Sequence, residues 1–370
     1  MKKIYVTDLK VESSVIGKET IRAISKVILN ADYILGEETK KFEENFAAYC
    51  DSKYAVGVAS GTAALFLALV AAKIGEGDEV ITSSISAGPT AEAIIMSGAN
   101  PRFVDINPYN LSIDTDKIEL AINENTKAIM PVYLYGFPSE ITEIRNICKK
   151  HDLLFIGDCA QAHGALYKNK KVGSQEDISC FSFMPTKNLG AYGDAGCVVT
   201  NNKIIFEKIK MLRNHGRGNN KYRHEIMGYP ERIDNLQSAV LNVKLKYLDK
   251  WNIVRRKIAK RYISNFEGKK GITVLRPFKN TEPCFHQFPI LVENRDELRK
   301  ELSKHNIDTG IHFPIPLHLQ PAYNNSEYKI GDFPVSESLA NKLLSLPMHP
   351  FLSNKEIDLV SELVIKYTKK

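Results

Sequence analysis

Three short polar segments each follow a run of apolar residues that predicts a buried strand, and each carries a group that could do chemistry. Ser60-Gly61-Thr62 begins a helical pattern, so its backbone amides and hydroxyls could bind an anion. Asp158 ends the second of these strands, where a buried acid needs a cation or several hydrogen-bond donors. Lys187 lies in a loop of small residues after the third strand and is a plausible former of a Schiff base. Ligands bind at the carboxyl ends of strands in open α/β sheets, so all three segments are candidate ligand sites.

Taken one at a time, each segment has a structural alternative. A Ser or Thr before a helix is usually only its N-cap, and Gly61 belongs neither to a Walker loop nor to a GxGxxG fingerprint. Asp158 could cap the next turn, and a single lysine is usually solvated. His163, close behind Asp158, is best interpreted as a structural histidine.

The elements that position these segments alternate along the first two thirds of the chain. Strands are predicted at Tyr54–Ala59, Glu79–Ser83, Arg102–Asp105, Ala128–Leu134, Leu153–Gly157, Ser179–Phe183 and Gly196–Thr200. Helical patterns separate most of the first five strands, at Gly61–Lys73, Thr90–Ser97 and Glu140–Lys150. Such alternation predicts a mostly parallel sheet covered on both faces. The short loop between the last two strands predicts one antiparallel member.

A long helical pattern, Asp234–Phe266, then leads into a smaller C-terminal part and predicts one helix or two abutting helices. After it come a strand-like HQFPILV, a helix at Asp296–Lys304, a proline-rich loop at Pro314–Pro321, and helices around Ser336–Leu344 and Lys355–Tyr367. We therefore predict a large domain at residues 1–245 and a small one at 246–370.

Composition excludes several classes of protein. Of 370 residues, 44% are hydrophobic and 25% charged, which excludes wholesale disorder. The 50 basic and 43 acidic residues are spread along the chain, so no nucleic-acid partner is expected. No apolar run reaches the roughly 18–20 residues of a membrane helix, and the start lacks the pattern of a secretory signal. The six cysteines form neither a CxxC pair nor a zinc spacing, so we expect reduced thiols, no metal site and a cytoplasmic location.

Several long motifs in order resemble one family, from about Gly36 to the C-terminus. They are SGTAAL at Ser60–Leu65, DCAQAHGA at Asp158–Ala165, FSFMPTKNLGAYGDAG at Phe181–Gly196, RNHGR at Arg213–Arg217, RIDNLQSAVLNVKL at Arg232–Leu245 and GIHFPIPLHLQPAY at Gly310–Tyr323. The chain resembles the DegT/DnrJ/EryC1/StrS family of sugar aminotransferases, which use pyridoxal 5'-phosphate. The resemblance implies an α/β, aspartate-aminotransferase-like fold, with a large, mixed, mostly parallel seven-stranded sheet domain and a smaller C-terminal α+β domain.

The resemblance also assigns roles at the cofactor. Lys187 would hold pyridoxal phosphate covalently and later move the proton of the transamination. Asp158 would face the pyridinium nitrogen and keep it protonated. Gln161 would hydrogen-bond the ring hydroxyl. The phosphate would be bound by Gly61, Thr62 and Ser182.

For the substrates, the resemblance is greatest to the branch that aminates carbon 3 of nucleotide-linked (dTDP or UDP) ketosugars with glutamate as donor. His318 would contact the sugar. The arginines that would contact the pyrophosphate are Arg217, Arg223, Arg255 and Arg256, since guanidinium groups suit phosphate oxygens. The family also implies a homodimer with active sites at the subunit interface.

Four departures from the family pattern bear on the substrate and the dimer. Met184 and Phe313 stand where tyrosines are usual, so two hydroxyls that could contact the sugar are absent. Pro230 replaces an asparagine that in relatives reaches the neighbouring subunit's cofactor phosphate. Nothing aromatic in residues 82–91 can cover the cofactor ring, which leaves Ile85 or Ala87 to do so.

Alternatives within and beyond the enzyme class remain open at this point. The acceptor could be a 4-ketosugar or a cyclitol ketone. A related sugar dehydratase would place a histidine at the lysine position, and Lys187 argues against it. A non-catalytic, cofactor-binding regulator would have little use for Lys187 and Asp158 together.

Overall fold

The structure, a computed structural model, describes residues 3–220, 222–323 and 327–368. Its helices are α1 Leu9–Asn30, α2 Glu37–Tyr49, α3 Gly61–Ala71, α4 Gly88–Met96, α5 Thr115–Ala121, α6 Ile141–His151, α7 Lys203–Leu212, α8 Asn235–Phe266, α9 Arg295–Lys304, α10 Pro334–Ala340 and α11 Asn354–Tyr367. Its strands are β1 Tyr54–Val58, β2 Glu79–Ser83, β3 Asn100–Val104, β4 Thr126–Met130, β5 Leu154–Asp158, β6 Leu166–Tyr167, β7 Lys170–Lys171, β8 Ile178–Ser182, β9 Gly196–Thr200, β10 Thr273–Val274, β11 Thr281–Glu282, β12 Phe288–Leu291 and β13 Leu343–Leu346.

A seven-stranded central sheet has the order β1-β9-β8-β5-β4-β2-β3. Strand β9 is antiparallel to both its neighbours, and the remaining pairs are parallel. This confirms the predicted α/β fold class with one antiparallel member. Since β1 and β8 both run against β9, they point the same way as β2 and β5. The carboxyl ends of these four strands therefore meet at one edge of the sheet.

Helix α3 starts at this edge and packs over the sheet. Its residues Ala63–Leu69 are all buried, as expected for a helix that is apolar on every side. Ser60 is its N-cap, and the Ser60 side chain accepts a hydrogen bond from the Ala63 amide at 3.0 Å. The start of the helix is thereby fixed directly after β1.

Helix α8 is a single helix of 32 residues that leaves the central sheet and enters the C-terminal part. Buried residues occur along its whole length, from Asn235 to Phe266. The predicted domain boundary at 245/246 falls inside this helix and stays a prediction. Helix α1, which the sequence analysis did not predict, packs against α8 through an ion pair between Glu12 and the fully buried Lys244.

The C-terminal part contains an antiparallel sheet with the order β10-β12-β13. The helix predicted around Ser336–Leu344 is wrong at its end: α10 stops at Ala340, and Leu343–Leu346 is strand β13. The reason is tertiary, because β13 pairs with β12 and all four of its residues are buried. No described helix is both long and apolar enough to cross a membrane.

Candidate active site

A cavity of about 370 Å³ lies at the carboxyl edge of the central sheet. All three chemically promising segments contribute to its wall, together with the C-terminal part. Its lining residues include Ser60, Gly61, Thr62, Ala87, Pro89, Thr90, Asp158, Gln161, Ser182, Met184, Lys187, Asp194, His286, Gln287, His312 and Phe313. The structure thus brings together all six residues predicted to bind the cofactor.

Lys187 provides an amine inside this cavity. Burial lowers the pKa of Lys187 to about 8, although the negative charge of Asp158 opposes the shift. The next residue, Asn188, is buried and donates to Asn252 and to the carbonyl of Cys284, each at 3.0 Å. The residue next to the lysine is thereby held in place, and near pH 8 a large share of the lysine amine is the uncharged nucleophile.

Asp158 ends β5 with its carboxylate buried. Thr90 donates to Oδ2 at 2.8 Å and the Ala160 amide to Oδ1 at 3.2 Å. Burial nevertheless raises the pKa of Asp158, because these two donors do not replace water fully. A cation bound opposite the carboxylate, such as a protonated ring nitrogen, would stabilise its charged form.

Gln161 has its side-chain oxygen already engaged. The backbone amide of Tyr135 donates to Oε1 of Gln161 at 2.7 Å. The group left for a ligand is therefore the NH₂, which suits the hydroxyl or phenolate oxygen of a ring.

The first turn of α3 forms a cradle for an anion. The opening amides of a helix have no partner within it, and the Ser60 side chain accepts that of Ala63. The amides of Gly61 and Thr62 are therefore available to a ligand. A Cβ on Gly61 would lie 2.6 Å from Cβ of Ser182, so only glycine fits there. This cradle, the buried carboxylate of Asp158 and the amine of Lys187 fit pyridoxal phosphate.

The cradle leads to a first prediction, at Thr62. Replacing Thr62 with valine removes a hydroxyl while keeping the side-chain shape. We expect cofactor binding to weaken at least about tenfold, since a bond to a charged group contributes roughly 1.5–3 kcal/mol. Equilibrium dialysis with pyridoxal phosphate measures this. Thr115→Val, in the first turn of α5 and outside the cavity, is the matched control. Equal affinities for both variants would place the phosphate elsewhere.

The arginines predicted to bind pyrophosphate do not line this cavity. Arg255 is buried, and its guanidinium donates to the carbonyls of Phe285, His286 and Met348, so it ties α8 to the C-terminal part. The guanidinium of Arg256 donates to the carbonyls of Pro283 and Gly164. Both guanidinium groups therefore have a structural use that the sequence did not indicate.

The other predicted substrate contacts lie outside the cavity as well. Arg217 and Arg223 belong to an irregular segment after α7, and Arg223 is an exposed partner of Glu225. His318 is fully buried, and its Nε2 lies 3.0 Å from Oε1 of Glu337. His318 therefore packs against Glu337 outside the cavity, and its contact with a sugar stays a prediction.

Of the residues at which the chain departs from the family pattern, some line the cavity and others do not. Met184 and Phe313 line it, so their thioether and phenyl groups take the place of two hydroxyls. Of the two candidates to cover the ring, Ala87 lines the cavity and Ile85 does not, because it is fully buried in a hydrophobic core. Pro230 is not among the lining residues.

Sequence reasoning gave no role to several polar residues of the wall, among them Thr90, His286, Gln287 and His312. Thr90 lies in the first turn of α4, and only the folded chain brings its hydroxyl to Asp158. His286 and Gln287 precede β12, and a polar pair at the start of an apolar strand was the available signal. No described group of three or more histidine, cysteine or acidic side chains could hold a metal.

Buried histidines around the site lead to a second prediction, which concerns pH. Burial, followed by the positive charge of Lys187, lowers the pKa of His163 from 6.5 to about 3. Between these values the unfolded chain binds one proton more than the folded protein at this residue. The free energy of unfolding therefore falls as the pH drops, by about 1.4 kcal/mol per pH unit for this one proton.

The His163→Phe variant measures this contribution. Near pH 5, its unfolding free energy should depend less on pH than that of the wild type, by about that slope. Urea denaturation of both cofactor-free proteins from pH 6.5 to 4.5 provides the comparison. Identical slopes would mean that His163 is protonated in the folded protein.

Comparisons with known proteins agree with this geometry. Residues 14–365 match the model of the DegT/DnrJ/EryC1/StrS aminotransferase family. The chain is 41% identical to a pleiotropic regulatory protein of Geobacillus stearothermophilus, covering 98% of each chain. It is 40% identical to the dTDP-3-amino-3,4,6-trideoxy-alpha-D-glucose transaminase of Streptomyces venezuelae, over 97% of this chain and 96% of that one.

Two further comparisons concern another transaminase and a solved structure. The dTDP-3-amino-3,6-dideoxy-alpha-D-galactopyranose transaminase of Aneurinibacillus thermoaerophilus is 42% identical, with 95% of each chain covered. The crystal structure of DesV from S. venezuelae superimposes with a TM-score of 0.98 at 39% identity, covering both chains fully.

Proposed function

Because the chain belongs to the DegT/DnrJ/EryC1/StrS aminotransferase family, we propose that it transfers the amino group of glutamate to carbon 3 of a nucleotide-linked ketosugar, with pyridoxal 5'-phosphate as cofactor. The observation that carries the proposal is the common cavity of Lys187, Asp158, Gln161 and the first turn of α3. An amine, a buried carboxylate and an anion cradle at one edge of a sheet are the parts that this chemistry needs.

Each of these residues has a defined task. When bound, pyridoxal phosphate supplies a carbonyl carbon that carries the amino group and a conjugated ring that takes up an electron pair. Lys187 would hold the cofactor at that carbon, and its Nζ would take up and return the proton of the substrate carbon. The charge of Asp158 would keep a proton on the ring nitrogen. The NH₂ of Gln161 would donate to the ring hydroxyl, and the amides of Gly61 and Thr62 would hold the phosphate.

The nature of the acceptor is supported by relatives and by the cavity wall. The transaminases of S. venezuelae and A. thermoaerophilus are named for dTDP-linked 3-amino sugars with two or three deoxygenated carbons. The apolar groups of Met184 and Phe313 in this wall suit an acceptor with few hydroxyls. We therefore propose a deoxygenated 3-ketosugar linked to dTDP or UDP.

Assays with a panel of acceptors test this function. Glutamate is supplied as donor, and dTDP- and UDP-linked 3-ketosugars, 4-ketosugars and a cyclitol ketone are compared by mass spectrometry of the amine formed. We expect amination of a 3-ketosugar with the highest kcat/KM. A preference for a 4-ketosugar or the cyclitol would overturn the acceptor. Cofactor binding without turnover of any acceptor would instead favour a regulator.

We also propose that the protein is a homodimer. Helix α1 exposes a row of large apolar side chains, Val15, Ile21, Ile28 and Leu29, with exposed fractions of 52–84%. A second copy of the chain would bury them. Sedimentation of the wild type should show a dimer, and Leu29→Glu should shift it toward monomer. Leu120→Glu, at an equally exposed leucine of α5, is the control. A wild-type monomer with full activity would contradict the proposal.

A cytoplasmic location is the last part of this proposal. All six cysteines are buried and unpaired, as is usual in a reducing compartment. Fractionation of cells that express the protein at natural levels, followed by immunodetection, tests it. Recovery with a secreted or membrane fraction would contradict it.

A further inference from the structure

Three polar side chains of the C-terminal part form a closed ring of hydrogen bonds at the wall of the cavity. Nε2 of Gln287 lies 2.9 Å from Nε2 of His312. The Ser345 hydroxyl donates to Oε1 of Gln287 at 3.0 Å and lies 3.0 Å from Nδ1 of His312. Gln287 and His312 line the cavity, whereas Ser345 belongs to the buried strand β13.

Counting donors and acceptors fixes the role of each member. The amide nitrogen of Gln287 can only donate, so Nε2 of His312 accepts. The Ser345 proton goes to Gln287, so Nδ1 of His312 must donate to the Ser345 oxygen. The imidazole is therefore neutral with its proton on Nδ1. Burial, together with the charge of Lys187, lowers the pKa of His312 to about 4, in agreement with a neutral ring.

One group in the ring remains unused. The Gln287 amide has two hydrogens, and in the described part of the chain only the one toward His312 meets an acceptor. Gln287 is 9% exposed, and the residue lines the cavity. With its oxygen and one hydrogen both held, the second N–H is a preorganised donor toward a substrate.

The charges of the cavity explain why a neutral donor is useful there. The charged side chains among its described lining residues are Asp158, Asp194 and Lys187, and Lys187 is needed for the chemistry. The proposed reaction brings an amino-acid carboxylate and then a sugar to the same place. A guanidinium would bind the carboxylate but would be buried without a partner when the sugar is bound. An amide can donate to either oxygen.

We propose that the free N–H of Gln287, held in place by His312 and Ser345, binds both substrates in turn: the carboxylate of glutamate in the first half-reaction and an oxygen of the sugar in the second. Gln287 is thus a specificity-determining residue, and His312 is a positioning residue that acts through it. This inference rests on the proposed function.

Equilibrium titrations of Gln287→Met holoenzyme test the proposal without turnover. The first ligand is α-methylglutamate, which lacks the α-hydrogen, so binding stops before proton transfer and is read from the visible absorbance of the cofactor. The second is dTDP-3-amino-3,6-dideoxy-α-D-galactopyranose, titrated by calorimetry against borohydride-reduced holoenzyme, because its C3 hydrogen would otherwise let the reverse half-reaction run. We expect the dissociation constant to rise about tenfold or more for the carboxylate ligand and about three- to tenfold for the sugar, because a charged acceptor loses the stronger bond.

Two other variants separate binding from folding. Gln175→Met makes the same exchange outside the cavity and should leave both constants unchanged. Gln287→Glu puts a negative charge beside the carboxylate, so it should weaken the binding of α-methylglutamate far more than that of the sugar. A folding defect would weaken the binding of both ligands alike. Unchanged constants in Gln287→Met would overturn the proposal, and a rise for one ligand alone would overturn the shared use. If the wild type binds no amino sugar but Gln287→Met weakens α-methylglutamate, the acceptor assignment fails and the donor contact stands.

A double-mutant cycle tests the role of His312. If His312 acts by holding Gln287, His312→Leu should weaken the binding of both ligands in the wild-type background. In the Gln287→Met background it should have little further effect on either dissociation constant. Additive effects would mean that His312 contacts the substrate itself, which would overturn its positioning role.

Discussion

Lys187→Ala is expected to abolish amino transfer. Lys187 provides the one lysine amine among the described lining residues of the cavity, and both cofactor attachment and proton movement depend on that amine. Turnover should fall below detection in a coupled assay of glutamate consumption, while the protein still binds pyridoxal phosphate through the α3 cradle.

The control for this variant is Lys170→Ala, at an exposed lysine of β7. It should keep native turnover and native cofactor absorbance. Added methylamine, which can stand in for the missing amine, should restore part of the rate to Lys187→Ala and leave Lys170→Ala unchanged. Native turnover by Lys187→Ala would contradict the site assignment.

Asp158→Asn is expected to lower the rate by a factor of about 10²–10³. The amide keeps the shape of the side chain and can still accept from Thr90, but it carries no charge to hold a proton on the ring nitrogen. The measurement is the rate constant of the glutamate half-reaction, followed by stopped-flow absorbance.

Asp51→Asn is the matched control, because Asp51 is exposed between α2 and β1 and outside the cavity. It should leave the half-reaction unchanged. Activity of Asp158→Asn within a factor of two of native would mean that Asp158 is a structural cap, the alternative that its sequence position allowed.

The central sheet and its edge could be predicted from local sequence, because buried parallel strands are short apolar runs that end in polar residues. The predicted strand Ala128–Leu134 overran the observed end at Met130, since the apolar pattern continues through Pro131 into a 3₁₀ turn. The helix predicted around Ser336–Leu344 ran into the first two residues of β13, because that strand depends on pairing with β12, more than fifty residues earlier. Pairing between strands so far apart in the sequence produces no local periodicity from which the strand could be predicted.

The residues of the candidate site likewise include some that local sequence could predict and others that only the folded chain brings together. Lys187, Asp158 and Gln161 follow strands and carry recognisable motifs, so their meeting followed from the topology. Arg255 could not be separated from a ligand-binding arginine, because its use depends on carbonyls of distant segments. The ring of Gln287, His312 and Ser345 joins three separate segments, and only the folded chain brings them together.

Borohydride reduction of the holoenzyme followed by peptide mapping shows which amine binds the cofactor. The reagent converts a covalent link between cofactor and amine into a permanent one, which mass spectrometry then locates. We expect the mass of the reduced cofactor on the peptide that contains Lys187, with loss of the visible absorbance. Attachment at any other lysine, or no attachment in a protein that binds pyridoxal phosphate, would contradict it.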